Sequence, residues 1–319
     1  MALCGRCGTD IASTLLSCPA CQSLVHEQQL TTLARQAEQA TADARPTEAL
    51  THWRAALELL PPDSRQYQSI LQKIQTLSQH VKKGSGRKAV GVGAVGAVLL
   101  SLLAKGKLLL LGLGKASTVF SMLLSLGVYW AAWGWKFAVG VVASIYIHEI
   151  GHVAALQRYG IKASAPMFIP GVGAFVQMKQ SLATRHEDAV VGLAGPWWGL
   201  ATAVACYGIF MLSGAKIWAA IAHTGAWLTL FNLLPTWQLD GSRGFQALAR
   251  RQRWGVVAMM VVLWMVTHEG LLILLALVSG WRALERADTN DGDQHIFFQY
   301  LALLTATSLL SMMTPPAMR

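Results

Sequence analysis

Residues 144–156 read SIYIHEIGHVAAL, and this stretch decides the fold because it places two histidines and a glutamate inside an apolar run. Ionisable side chains are costly in hydrocarbon, and those found there usually serve a function. His148 and His152 are four residues apart, so a helix presents both imidazole rings on one face, where they can bind one metal ion. Glu149 is placed to accept a proton from a water at that metal. The stretch therefore predicts a metal site within a membrane helix.

The composition predicts a mainly α-helical, polytopic membrane protein. Of the 319 residues, 54% are hydrophobic and 13% are charged, whereas soluble domains average about 25% charged residues. The net charge of +10 comes from short basic clusters beside the apolar runs, which is typical of membrane topology, so no nucleic-acid partner is expected. Apolar runs near the roughly 20 residues that a membrane helix needs occur at 117–134, 136–157, 189–212, 216–235, 255–281 and 294–313.

One segment between these runs and one of the runs themselves have irregular features. Between residues 158 and 188, proline, glycine and β-forming residues predict short strands or a re-entrant loop. His268 and Glu269 interrupt the run at 255–281, where we expect either a kink in the middle of a span or the tip of a helical hairpin.

Residues 1–27 predict a zinc ribbon. Cys4 and Cys7 form one CxxC pair, and Cys18 and Cys21 form a second pair after a ten-residue spacer. Two such pairs can close a tetrahedral thiolate site around a structural Zn²⁺. The N-terminus lacks the pattern of a secretory signal peptide, which favours metal binding over disulfides. A redox dithiol is the alternative, although no βαβ pattern accompanies the pairs.

Residues 28–81 have the periodicity of packed helices. Ala49, Trp53 and Ala56 recur in a pattern that resembles the second helix of a tetratricopeptide repeat. A generic helical spacer is the open alternative. In either form, we expect this segment and the ribbon to bind a protein partner.

A catalytic zinc needs three protein ligands and an open position. Asp240 lies in FNLLPTWQLDGSRG, residues 231–244, where Pro235 ends a helix and the chain can fold a carboxylate back toward the histidines. Asn232, on the same segment, is placed to donate a hydrogen bond near the site. On its own, Asp240 would be interpreted as a turn residue. The alternative third ligands are the downstream glutamates Glu187, Glu269 and Glu285.

Together these motifs resemble the site-2 protease family of intramembrane zinc metalloproteases. HExxH at 148–152 is followed by N-x2-P-x4-DG at 232–241. GLAGPWWG, at 192–199, is similar to the glycine–proline helix start of that family's core, and FIPGVGAFV, at 168–176, resembles its loop between the first two core helices. The resemblance covers residues from about 117 to 250, and no PDZ or CBS insertion is recognisable.

The resemblance implies a transmembrane metalloprotease domain over residues 117–319. Its zinc ligands would be His148, His152 and Asp240. Glu149 would be the general base, and Asn232 would stabilise the substrate or the oxyanion. The implied activity is cleavage of peptide bonds in or near transmembrane segments of membrane proteins. A catalytically idle scaffold that binds partners through the ribbon and the helices is the alternative, and the intact set of site residues argues against it.

Residues 82–116 predict a basic linker followed by an apolar segment that does not cross the lipid bilayer. KKGSGRK, at 82–88, is typical of a flexible chain at a membrane surface. The apolar run at 89–104 is short for a span, so we expect a re-entrant or surface-lying segment. Reduced ribbon cysteines and the basic segments 82–88, 158–185 and 243–253 place the N-terminus and the active-site side of this multi-pass protein in the cytoplasm.

Overall fold

The computed structural model describes residues 2–85, 116–285 and 292–313, except for positions 5, 13, 14, 62, 162, 172, 177–181, 183, 237 and 238. It is mainly α-helical, which confirms the expected fold class. The chain divides into two compact units. One consists of Met1–Ala89, Leu156–Lys162 and Met178–Thr184, and the other of Val90–Ala155, Ala163–Gln177 and Arg185–Arg319. The apolar run at 89–104 lies outside the described residues.

The first unit contains the cysteine segment and three helices. Strands β1 (Ala2–Leu3) and β2 (Asp10–Ile11) pair antiparallel. Helices α1 (Glu27–Ala42), α2 (Pro46–Leu57) and α3 (Arg65–Ser85) follow. Their common core contains the fully buried side chains of Ala37, Leu50 and Ile74 around the nearly buried Trp53. Small residues in this core let the helices approach closely, as the periodicity of residues 28–81 predicts, and the likeness to a tetratricopeptide repeat stays a prediction.

The second unit is a bundle of helices with one small hairpin. Its first part consists of α4 (Ala116–Trp133), α5 (Trp135–Arg158), β3 (Met167–Ile169), β4 (Gly173–Phe175) and α6 (Arg185–Ser213). The second part consists of α7 (Lys216–Asn232), α8 (Asp240–Gln246), α9 (Arg250–Thr267), α10 (Leu271–Leu284) and α11 (Gln294–Met313). In the described part of the chain, α4, α5, α6 and residues Gln294–Met312 of α11 are long and apolar enough to cross a membrane.

Helix α4 and the turn after it have the surface of a lipid-facing element. The side chains of Trp130, Trp133 and Trp135 are more than half exposed, as are those of Leu123 and Leu124 of α4. Tryptophan is enriched where a membrane helix meets the interface. Gly134 joins α4 to α5 with a φ of 85°, a left-handed conformation that glycine adopts without strain.

The apolar run at 255–281 does not form a single span. Helix α9 ends at Thr267, and His268 follows with a φ of 54°, which turns the chain so that α10 begins at Leu271. The two helices pack against each other as a helical hairpin. Of the two interpretations of His268 and Glu269, the hairpin tip is therefore the correct one.

The expected short strands are present as the β3–β4 hairpin, in which Phe168 pairs with Ala174. The Phe168 side chain is buried and stacks on Tyr146 of α5, with ring centroids 6.4 Å apart. The Phe168 N–H also donates to the Ser121 hydroxyl of α4 at 3.2 Å. These contacts hold the hairpin against the helix that carries the histidines.

Candidate active site and metal centre

Helix α5 presents both histidines on one face, as their spacing predicts. The rings of His148 and His152 lie edge to face with centroids 5.1 Å apart, and their Nε2 atoms are 3.3 Å apart. Both side chains are buried. The two nitrogens therefore converge on one position in the interior of the second unit.

Asp240, the first residue of α8, brings a carboxylate to the same position. Its Oδ2 is 2.9 Å from His148 Nε2, and its Oδ1 is 3.1 Å from His152 Nε2. Nitrogen and oxygen ligands at about 2.0–2.1 Å from a tetrahedral zinc lie about 3.3 Å from one another. The donor set and its spacing thus fit a zinc ion with one coordination position left open.

The second nitrogen of His152 fixes the orientation of its ring. Nδ1–H donates to the backbone carbonyl of Val191 in α6 at 2.8 Å, which leaves the Nε2 lone pair directed at the carboxylate. A hydrogen bond of this kind sets the tautomer of a metal-binding histidine. Val191 was not among the residues that the sequence indicated, because a backbone acceptor has no side-chain signature.

Helix α6 approaches the histidines through glycines. A Cβ atom at Gly195 would lie 2.1 Å from His152 Nε2 and 2.6 Å from His148 Nε2. A Cβ atom at Gly199 would lie 2.7 Å from the Thr229 hydroxyl and 3.0 Å from His148 Nδ1. Any side chain at Gly195 would therefore occupy the space of the metal centre. The small-xxx-small spacing of Gly195 and Gly199 in an apolar helix was the available signal for this close approach.

The GLAGPWWG motif does not begin a helix, in contrast to the expectation from the family resemblance. Helix α6 starts at Arg185 and continues through Pro196, which lies inside it. Proline is tolerated within membrane helices because neighbouring groups can satisfy the freed backbone carbonyl. The motif therefore lies in the middle of α6, where its glycines pack against α5 and α8.

Glu149 and Asn232 line one cavity beside the histidines. The cavity has a volume of about 520 Å³ and is also lined by Ser144, Thr229 and residues 173–175 of β4. Most of its remaining wall is apolar. Glu149 is buried, with 5% of its surface exposed, so its carboxylate lies in a site from which bulk water is largely excluded.

None of the alternative glutamates joins the histidines. Glu269 accepts a hydrogen bond from the Ser311 hydroxyl at 2.9 Å, and Glu285 pairs with Arg282 at 2.7 Å. Glu187 is buried in the first turn of α6. Within the described ranges, the groups whose ligand atoms gather closely enough for a metal are the four N-terminal cysteines and the set of His148, His152 and Asp240.

The four cysteines form the second candidate metal site. The Sγ atoms of Cys4 and Cys21 are 3.7 Å apart, and those of Cys7 and Cys18 are 3.6 Å apart. Zinc–sulfur bonds of about 2.3 Å place tetrahedral sulfurs close to 3.8 Å apart, so the cluster fits a zinc ribbon. The hydrogen bond to the Ser23 hydroxyl is the largest of several contacts that lower the pKa of Cys4 to about 5, and it also lowers the pKa of Cys21. A backbone hydrogen bond at Cys21 lowers the pKa of Cys18, but burial and the side-chain contacts with Cys7 and Cys21 raise it to about 11, so the thiolate is favoured at Cys4 and Cys21 and not at Cys18.

Comparison with known proteins gives a family match for the helix that carries the two histidines. Residues 136–217, which contain α5 and α6, match Peptidase family M50. The chain is 28% identical over 156 residues to the probable zinc metalloprotease EGY1, chloroplastic, of Arabidopsis thaliana. That match covers 34% of this chain and 28% of the relative, so the chain spans a small part of that protein. No solved structure gives a significant match.

The match to M50 peptidases and the four long apolar helices among the described residues support an integral membrane location. The two similarities also support zinc as the metal and a metalloprotease as the class of protein. The expected resemblance is confirmed: the part of the chain that carries HExxH is similar to Peptidase family M50, the site-2 type of zinc metalloprotease.

Proposed function

We propose that the chain is an intramembrane zinc metalloprotease that cleaves peptide bonds in or near transmembrane segments of membrane proteins. The observation that carries the proposal is the convergence of His148, His152 and Asp240 at ligand spacing beside Glu149, within helices apolar enough to span a bilayer. Two histidines and one carboxylate with an open position form a catalytic rather than a structural donor set.

Glu149 is the proton carrier in this proposal. When bound, zinc polarises the scissile carbonyl and lowers the pKa of a water at the site. The Glu149 carboxylate accepts the proton of that water and passes it to the leaving amine. Its burial beside two histidines supports this role, because a carboxylate shielded from bulk water exchanges its proton with groups in the cavity.

Asn232 serves as a hydrogen-bond donor to the reacting carbonyl. It is the last residue of α7 and lines the same cavity as Glu149. A side-chain amide aimed at a developing oxyanion in a water-poor site stabilises the transition state.

The substrate is a transmembrane segment that has unwound to an extended form. Residues 173–175 of β4 line the cavity, and the sheet they belong to has two strands in the described residues. Strand β4 therefore offers an edge to which an extended segment can add as a third strand. The apolar wall of the cavity suits the side chains of such a segment.

The cysteine site holds a second, structural zinc. The ribbon and helices α1–α3 take a protein partner, and the basic segments place the N-terminus and the active-site side in the cytoplasm. The sulfur spacing supports the structural zinc, and the charge pattern of the sequence supports the orientation.

The proposal is tested in membranes of cells that carry either the wild type or Glu149→Gln. Loss of the base predicts that membrane proteins accumulate as uncut forms with the variant. Glu58→Gln, at an exposed position at the end of α2, is the matched control and is expected to behave as the wild type. Identical membrane proteomes for the wild type and Glu149→Gln would refute the proposed activity.

A further inference from the structure

We propose that Tyr300, in α11, is a positioning residue for the metal site, because it fixes the turn between α7 and α8 that ends at Asp240. This inference rests on the proposed function, since it takes Asp240 as a metal ligand. Tyr300 lies outside residues 136–217, the segment that matches the peptidase family. Its role is argued from its contacts alone.

The turn starts at a carbonyl that needs a donor. Leu233 caps the C-terminal end of α7, and the last carbonyls of a helix have no partner within it. Leu233 is fully buried, where an unpaired carbonyl is costly. The Tyr300 hydroxyl donates a hydrogen bond to this carbonyl from a helix about 70 residues further along the chain.

The same carbonyl is in direct contact with the residue after Asp240. A Cβ atom at Gly241 would lie 2.1 Å from the Leu233 oxygen, so only glycine permits this approach. Any movement of the Leu233 carbonyl is therefore passed to the backbone of Gly241 and from there to Asp240. The Tyr300 hydroxyl fixes the Leu233 carbonyl by a hydrogen bond, and the backbone of Gly241 packs against that carbonyl.

The ring of Tyr300 holds the other side of the turn. It meets the Phe245 ring of α8 edge to face, with centroids 6.3 Å apart. A Cβ atom at Gly244 would lie 3.1 Å from Tyr300 Cδ2, so the ring also packs closely on the α8 backbone. One fully buried side chain thus fixes the end of α7 through its hydroxyl and the helix that begins at Asp240 through its ring.

A second donor holds the same turn. Arg282 Nε, in the last turn of α10, donates to the Pro235 carbonyl at 3.1 Å. Glu285 accepts from another nitrogen of the same guanidinium at 2.7 Å and orients it. Helices α10 and α11 therefore each supply one donor to the segment that leads to Asp240, which gives these helices a function beyond spanning or covering the bundle.

The experiment compares purified full-length wild type with Tyr300→Phe, which removes the hydroxyl and keeps the ring. We expect zinc to be lost to a chelator about tenfold faster, because partners beyond the ligands change metal affinity by roughly 10–100-fold. For a membrane-protein substrate that the wild type cleaves, kcat should fall while KM changes little, and added zinc should restore cleavage. Tyr207→Phe, on α6, is the matched control and should retain zinc as the wild type does.

The outcomes separate this inference from the proposed function. If Tyr300→Phe retains zinc and kcat as the wild type does, or shows only a lower melting temperature, Tyr300 is not a positioning residue. Arg282→Gln provides the same test if Tyr300→Phe cannot be recovered from membranes. Asp240→Ala defines the zinc that belongs to the site. If Asp240→Ala retains all its zinc, the proposed function fails instead.

Discussion

Gly195 is the most constrained single position near the candidate metal centre. A glycine in the middle of a helix is normally a cost of about 1 kcal/mol relative to alanine. Here the missing side chain leaves room for the two histidine nitrogens and for a metal between them. The helical propensity of α6 is thus lowered at the place where the proposed chemistry needs space.

Gly195→Ala should therefore lose zinc and cleavage, although alanine is the better helix former. We expect about a hundredfold loss of activity, which is the upper end of the range for changes that act on metal ligands through their neighbours. Gly208→Ala, in the same helix, is the control, since a Cβ atom there would meet nothing within 4 Å. Zinc content and cleavage of a membrane-protein substrate are measured for both. Normal zinc retention by Gly195→Ala would contradict the close approach of α6.

Among the structural elements, α11 depends for its position on Asp293, the residue just before its first turn. Asp293 precedes the helix, and its Oδ1 accepts hydrogen bonds from the N–H groups of His295 and Ile296 at 2.9 and 3.1 Å. Its other oxygen pairs with His186 at the start of α6. This cap ties together the two helices that carry Tyr300 and Gly195.

Burial raises the pKa of Asp293. The hydrogen bonds from His186 and from the backbone lower the pKa by more than burial raises it, so the net pKa is below the usual value of an aspartate. A carboxylate with a lowered folded-state pKa stabilises the fold above its unfolded pKa and loses that contribution as the pH falls through the folded value. Asp293→Ala should lower the free energy of unfolding by about 1 kcal/mol at neutral pH, the usual value of a helix cap. The difference should vanish in acid, as followed by denaturant unfolding at several pH values. A difference that grows in acid would contradict the assignment.

At the scale of the whole molecule, the sequence predicted which side chains come together better than it predicted the path of the chain. His148 and His152 were identifiable from residue type and helical spacing, and Asp240 was identifiable from its position in the segment that follows Pro235. The interruption of the 255–281 run was only partly predictable, since its composition does not distinguish a kink from a hairpin tip. Gly195 left a signal only in its four-residue spacing from Gly199. Val191 acts through a backbone carbonyl and Tyr300 through a contact between distant parts of the chain, and local periodicity does not indicate either of them.

The most direct test of the central claim uses purified full-length wild type, Glu149→Gln and Asp240→Ala. Zinc content and cleavage of a membrane-protein substrate are measured on the same preparations. We predict two zinc ions per chain in the wild type and in Glu149→Gln, one in Asp240→Ala, and at least about a hundredfold loss of cleavage in both variants. Cleavage by zinc-loaded Glu149→Gln at the wild-type rate would contradict the account.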